Sequence, residues 1–245
     1  MKQPNFPKEI EQILRKIPET HGEYFRDYFG NAPDELLGAM CLENRKAGRL
    51  LTEENEPIEK VYFLLEGEVK AVDFRVKGAT YEFAHFGPVT GLGTMECLFD
   101  LKNYMTTLLT VENCMLVSIP RAAFEGWVKN SAPALLKETK SMQQYLLNYT
   151  RESRVMMMLN GTERLIYLLM KRCEEMGSRE EYLLAVNRQE LAEQSGSSVK
   201  TVNRSMKKLE EGGFVLRVGH KVKITQKQYG DMRVHLDEIL NNTAK

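Results

Sequence analysis

Two short helices joined by a glycine are written into residues 187–214, which read N-R-Q-E-L-A-E-Q-S-G-S-S-V-K-T-V-N-R-S-M-K-K-L-E-E-G-G-F. Asn187 is placed to cap the first helix, with Glu190 in the reciprocal position of a capping box, and Leu191 and Ala192 supply its packed face. Gly196 breaks that helix. Ser197 or Ser198 caps the next one, in which Val202, Met206 and Leu209 share one stripe while Lys200, Asn203, Arg204 and Lys207 fall largely on the others. Gly212 and Gly213 end it.

After Phe214 the run V-L-R-V-G-H-K-V-K-I alternates apolar and basic residues around Gly219 and His220, which predicts a two-stranded wing. Between Val199 and Lys208 the charged residues are Lys200, Arg204, Lys207 and Lys208, all basic, although the chain as a whole balances 34 Lys and Arg against 34 Asp and Glu. A helix with short polar and cationic side chains on its outer face, and an arginine able to bond guanine bidentately, suits the major groove of double-stranded DNA. The pattern therefore predicts a winged helix-turn-helix. The competing readings are an amphipathic helical hairpin with a solvated basic face and a winged helix used for protein contacts.

At 245 residues, with ordinary hydrophobic content, the chain can hold two compact domains. The first residues carry no apolar run of signal-peptide length and nothing later approaches a membrane span, so a cytoplasmic protein without a membrane partner is expected. Cys41, Cys97, Cys114 and Cys173 are far apart, with no C-x-x-C pair, which argues against a zinc or iron–sulfur site. Four buried thiols are expected, with a redox-sensing pair as the alternative. No metal or cofactor is predicted. No nucleophile, base and orienter recur at a recognisable spacing, and no phosphate loop is present, so an enzyme is not expected.

Upstream the texture is mixed. Glu9 to Leu42 has helical stretches interrupted by Pro18 and Pro33. From Arg49 onward short strands follow one another: V-Y-F-L-L-E-G-E-V-K-A-V folds around Glu66 and Gly67, A-T-Y-E-F-A-H-F follows a Lys77–Gly78 turn, and T-T-L-L-T-V and C-M-L-V-S-I-P come after. That spacing predicts a small antiparallel barrel or roll. A segment that begins near Pro133 then runs to Met158 without a further Gly or Pro and should be one long helix. Leu135, Met142, Tyr149 and Met156 recur every seven residues, with Thr139, Leu146 and Ser153 between them, a seam that asks for a second subunit. The Met156, Met157, Met158 run is expected as adaptable apolar filling near a moving joint, with Asn160 and Gly161 as the hinge.

Roll, long helix, hinge and winged helix in this order resemble the Crp/Fnr family of bacterial transcription regulators. The best-matched pieces are K-A-G-R-L-L, V-Y-F-L-L-E-G-E-V-K, C-M-L-V-S-I-P-R-A-A-F, T-E-R-L-I-Y-L-L and R-Q-E-L-A-E-Q-S-G-S-S-V-K-T-V-N-R. The resemblance implies an α+β protein with an N-terminal antiparallel β-roll of the double-stranded β-helix type, a long dimerisation helix and a C-terminal winged helix-turn-helix. It divides the chain at 1–132 (helices and cyclic-nucleotide-binding-like sensor roll), 133–160 (dimerisation helix and hinge) and 161–245 (DNA-binding domain). It further implies a homodimer on a pseudo-palindromic DNA site, with RNA polymerase as a partner for an activator.

Carried over position by position, Val199, Lys200, Asn203 and Arg204 fall where the family reads bases. Asn187, Arg188, Gln189, Ser198 and Thr201 fall where it contacts phosphates, and His220 with Lys221 forms the wing tip. The dimer seam comprises Leu135, Met142, Leu146, Tyr149 and Met156. Lys200 departs from the family's common glutamate, and a lysine cannot accept a hydrogen bond from cytosine, so a different target site is expected.

Members that bind cyclic AMP use a Gly-Glu pair for the ribose and an Arg-Ser pair for the phosphate. Here G-L-G-T-M-E-C puts Leu92 in place of the glutamate, and N-Y-M-T-T at 103–107 offers no arginine, so control by cyclic AMP is not expected. The N-terminal cysteine cluster of the iron–sulfur members is absent, and His85 alone is a poor haem ligand. An uncharged or aromatic effector among Phe83, His85, Leu92, Tyr104 and Met105 is the remaining reading, its identity unknown. The alternative from another class is a ligand-binding regulatory module acting through protein contacts of its winged helix.

Overall fold

The structure, a computed structural model, describes residues 4–76 and 79–241. The Lys77–Gly78 turn lies outside the described residues. The chain divides into two compact units, Met1–Asp73 with Phe83–Leu147, and Phe74–Glu82 with Asn148–Lys245.

The first unit opens with α1 (Lys8–Leu14), α2 (Glu19–Tyr28) and α3 (Asp34–Gly38), each preceded directly by a proline: Pro7, Pro18 and Pro33. A proline there has no N–H to leave unsatisfied, and it prevents one helix from running into the next. Strands follow as β1 (Cys41–Arg45), β2 (Leu50–Thr52), β3 (Lys60–Glu66), β4 (Val69–Val76), β5 (Ala79–Phe86) and β6 (Thr90–Leu92); then come α4 (Thr94–Leu98), β7 (Thr107–Thr110), β8 (Cys114–Pro120), α5 (Arg121–Val128) and the long α6 (Ala132–Met158). They form two four-stranded sheets, ordered β1-β8-β3-β6 and β2-β7-β4-β5. The β1–β8, β3–β8, β3–β6, β2–β7 and β4–β7 pairings are antiparallel.

The apolar run of β3 is explained by burial on both of its faces. Val61, Phe63 and Leu65 join the core under the helices, whereas Tyr62 and Leu64 point into the roll with Val69, Leu92, Leu108 and Leu116. A strand covered on one side only would alternate polar and apolar residues. Phe63 is clasped by an aromatic cluster, 5.0 Å from the rings of both Tyr28 and Phe29, while Phe29 stacks on Trp127 at 5.3 Å. Between β3 and β4, Gly67 has φ 95°, and a Cβ there would lie 2.7 Å from the Asn113 carbonyl oxygen, so glycine is required.

Two expectations change here. Residues 41–45 form β1, although the sequence reads as helical as far as Leu42. Cys41 is exposed, whereas Cys97, Cys114 and Cys173 are buried. Burial pushes the Cys97 and Cys173 thiols up to about 11, which suppresses the reactive thiolate form.

Helix α6 is tied to the first unit by a buried carboxylate. Glu138 accepts hydrogen bonds of 2.7 Å from Tyr28 Oη and 2.7 Å from Thr94 Oγ1, bringing α2, α4 and α6 to one point. Burial raises its pKa and outweighs the two hydrogen bonds, which act in the opposite sense. A carboxyl that titrates higher when folded holds its extra proton only in the folded state. Stability from this group is therefore full below the ordinary carboxylate range and falls as pH rises through the folded pKa. In urea denaturation across pH, Glu138→Gln should flatten this dependence, and Glu138→Ala, which orphans two hydroxyls, should lower stability by about 1–3 kcal/mol.

The second unit contains α7 (Gly161–Glu175), β9 (Glu181–Ala185), α8 (Arg188–Ser195), α9 (Val199–Glu211), β10 (Leu216–Val218), β11 (Lys221–Thr225) and α10 (Gln226–Asn241). The expected two-stranded wing is part of a three-stranded sheet ordered β10-β11-β9. Strand β9 alternates, burying Tyr182 and Leu184 in the core that also holds the apolar faces of α7, α8 and α9. The architecture is α+β, an antiparallel roll with helices followed by a winged helix-turn-helix.

Candidate nucleic-acid interface

Helix α9 is built by opposition. Val202, Met206 and Leu209 on α9 are each 1 % exposed, while Lys200, Asn203, Arg204 and Lys207 face solvent. Gly196, at φ 63°, closes α8, and its N–H reaches back to the Ala192 carbonyl. Ser198 then caps α9 by accepting from the Thr201 N–H at 3.2 Å. Gly212 and Gly213 end α9, the latter at φ 75°.

The capping box expected at Asn187 and Glu190 is only half formed. Asn187 accepts from the Gln189 N–H at 2.9 Å, but Glu190 turns to Arg172 of α7 in an ion pair of 2.5 Å. A complete box forms instead at the start of α7, where Asn160 accepts from the Thr162 and Glu163 N–H groups and Glu163 accepts from the Asn160 N–H at 2.7 Å. The motif N-G-T-E carried that signal in the sequence.

Of the predicted base readers, Lys200, Asn203 and Arg204 are exposed on one helix, and Val199 is half-buried against the C-terminal core. Among the predicted phosphate contacts, Gln189 donates to Glu193 at 2.9 Å, and the Ser198 and Thr201 hydroxyls lie 3.0 Å apart. His220 and Lys221 are exposed beside Gly219, which turns the wing at φ 60°. Arg188 is half-buried, with its Nη1 buried and without a hydrogen-bond partner. Burial first, and then the Arg217 cation, hold its guanidinium below its ordinary range. Arg217, on β10, escapes a reading of the sequence because an arginine in an alternating strand carries no sign of which helix end it approaches.

The seam residues divide. Leu135 packs half-buried against the first core and Met156 against the second, Met142 is half-buried, and Leu146 and Tyr149 are 50 % and 42 % exposed. Leu136 and Leu147 are also exposed. The methionine run is not filling throughout, because Met157 and Met158 are 75 % and 59 % exposed.

The effector candidates do not all converge. Phe83 and Leu92 share the roll interior. Tyr104 belongs to the core under the helices and donates to the Lys60 carbonyl at 2.6 Å, His85 pairs with Glu68, and Met105 is exposed. Among the described residues no helix is long and apolar enough to cross a membrane.

The Ser198 cap fixes where α9 begins. Ser198→Ala should lower the unfolding free energy by about 1 kcal/mol in urea denaturation, with the fold retained.

Residues 42–131 match the family model of the cyclic nucleotide-binding domain, and residues 163–229 match that of the Crp-like helix-turn-helix domain. No curated protein sequence matches the chain. Among solved structures, the c-di-GMP responsive global regulator CLP of Xanthomonas campestris is similar at 22% identity over 77% of this chain and 95% of that one, with a TM-score of 0.67. A Crp/Fnr-family transcriptional regulator from Thermus thermophilus is similar at 18% identity over 78% and 97%, with a TM-score of 0.62. FixK2 from Bradyrhizobium japonicum follows at 15% identity over 79% and 96%, with a TM-score of 0.58. At these identities the likenesses establish the fold. With both domain families matched, and in the order the architecture requires, the chain belongs to the Crp/Fnr family of DNA-binding transcription regulators.

Proposed function

We propose that the protein is a homodimeric, sequence-specific regulator whose two copies of α9 read a pseudo-palindromic site in successive major grooves. The observation that carries this reading is the exposed face of α9, where Lys200, Asn203, Arg204 and Lys207 stand opposite a fully buried stripe. Arg204 is the principal base reader, with Lys200 and Asn203 beside it. Arg188, Ser198, Thr201, His220 and Lys221 serve the phosphate backbone. Val199, half-buried, serves by apolar contact.

Dimerisation along α6 is supported by the exposure of Leu136, Leu146 and Met157, side chains that a single copy leaves in water. Control by a signal other than cyclic AMP is supported by Leu92, 3 % exposed in the roll interior where a ribose-binding carboxylate would be needed, and by the absence of arginine from residues 103–107.

Selection of bound duplexes from a random pool at near-physiological salt tests the reading. A two-fold symmetric motif with half-sites about one helical turn apart is expected, and no enriched motif would count against it. On the selected site Arg204→Ala should cost about 1–3 kcal/mol and relax one base position, whereas equal loss on every sequence would reduce Arg204 to a phosphate contact. Leu146→Glu should shift the sedimenting species from dimer to monomer, because it places a charge in the proposed seam.

A further inference from the structure

A single side chain joins the ends of two helices in the second unit, to which the last turns of α6, from Asn148 on, belong. Arg164, in the first turn of α7, donates from Nε to the Met156 carbonyl at 3.0 Å and to the Leu159 carbonyl at 3.1 Å, and from Nη1 to the Ser195 carbonyl at 3.2 Å. Met156 stands in the last turn of α6, and Ser195 is the last residue of α8. Carbonyls at those positions lack an amide partner within their own helix, and the aligned peptide dipoles favour a cation beside them.

Other bonds near this joint reach less far. Asn160 and Glu163 close their capping box on α7 itself. The Lys171–Glu152 ion pair, 2.8 Å long and partly exposed, links α6 to α7 only, and pairs of that kind contribute little. Among the described residues no carboxylate pairs with Arg164, so its guanidinium is committed to main-chain oxygens. Leu159 and Ser195 are 3 % and 2 % exposed, and their carbonyls would find little water if the guanidinium were removed. From Ser195 the path to α9 is short: Gly196 turns the chain at φ 63° and Ser198 caps α9. One planar fork therefore ties the end of α6 to the residue from which the chain turns into α9. A lysine would keep the charge, but one ammonium on a flexible stem does not hold carbonyls in two fixed directions.

We propose that Arg164 is a positioning residue, which holds α9 at a set angle to the last turns of α6. Its consequence for DNA rests on the reading of α9 as the DNA-reading helix of a dimer paired along α6. In such a dimer this angle sets the separation and rotation at which two copies of α9 meet the duplex. One added base pair rotates a half-site by about a tenth of a turn, so a fixed angle admits one spacing and a loose angle admits several.

The first arm of the test needs no DNA. Full-length protein carrying Cys41→Ser, Arg154→Cys and Glu211→Cys is spin-labelled on α6 and α9 and diluted with unlabelled chain, so that double electron–electron resonance reads the pair within one chain. A narrow distance distribution is expected with Arg164 in place, and a broadened or shifted one in Arg164→Gln and Arg164→Lys at unchanged circular dichroism. The same narrow distribution in Arg164→Lys, the milder of the two changes, overturns the proposal. The second arm compares the selected duplex with versions whose spacer between half-sites is one base pair longer or shorter. The wild type should prefer the selected spacing at least several-fold, whereas Arg164→Lys should bring the affinities at all spacings together and keep the base preference within each half-site. An equal loss of affinity at every spacing would show that Arg164 only stabilises the fold. Should the wild type select no two-fold motif, the reading of a dimer on DNA fails, and the distance distributions still decide whether Arg164 positions α9.

Discussion

The stripe of Val202, Met206 and Leu209 is pressed into the C-terminal core, and α9 cannot rotate about its axis without taking those side chains out. Each is worth about 1.5–3 kcal/mol in burial, and a rotation that replaced them would carry Asn203 or Lys207 into the same space without a partner. The outward direction of Lys200, Asn203 and Arg204 is therefore set by what lies on the other side of the helix. Gly196 and Ser198 fix where the helix starts, and the Thr162–Ser205 hydrogen bond fixes it against α7. The exposed basic face and the cleft that α9 forms with the first turn of α7 are two sectors of one helix, and Arg204 belongs to both.

An analogous constraint organises the first unit. Strand β3 is buried on both faces, so the roll interior and the core beneath the helices share one wall, and Phe63 at its centre is held by Tyr28 and Phe29. Tyr28 also donates to Glu138, which extends the same packing to α6. A carboxylate that accepts from two hydroxyls in a dry site gives direction and register more than net stability, since its desolvation offsets much of what the bonds return.

Much of this is legible in residues alone. The prolines at 18 and 33, the turn at Glu66 and Gly67, the long glycine-free helix and the helix–glycine–helix pattern each follow from local backbone preference, which needs no knowledge of distant neighbours. The departures share a cause. Glu190 has the right spacing from Asn187 to complete a capping box, yet Arg172, eighteen residues upstream, offers a charged partner and wins. Isolated thiols are usually buried, but the strand that carries Cys41 turns it outward. Tyr104 and Met105, adjacent in sequence, part company because one points into the core and the other into solvent.

The sequence by itself determined the order of elements, the apolar stripe and basic face of α9, and the caps that begin and end it, because these depend on spacing within a few turns of chain. Only the tertiary structure decided which polar groups meet. Glu138 with Tyr28 and Thr94, Arg188 beside Arg217, and His235 facing the cleft with Arg204 and Lys208 all join residues separated by many positions, and no periodicity in the chain encodes those distances. Local spacing fixes the face a side chain takes, whereas the packing of whole elements fixes what stands opposite it.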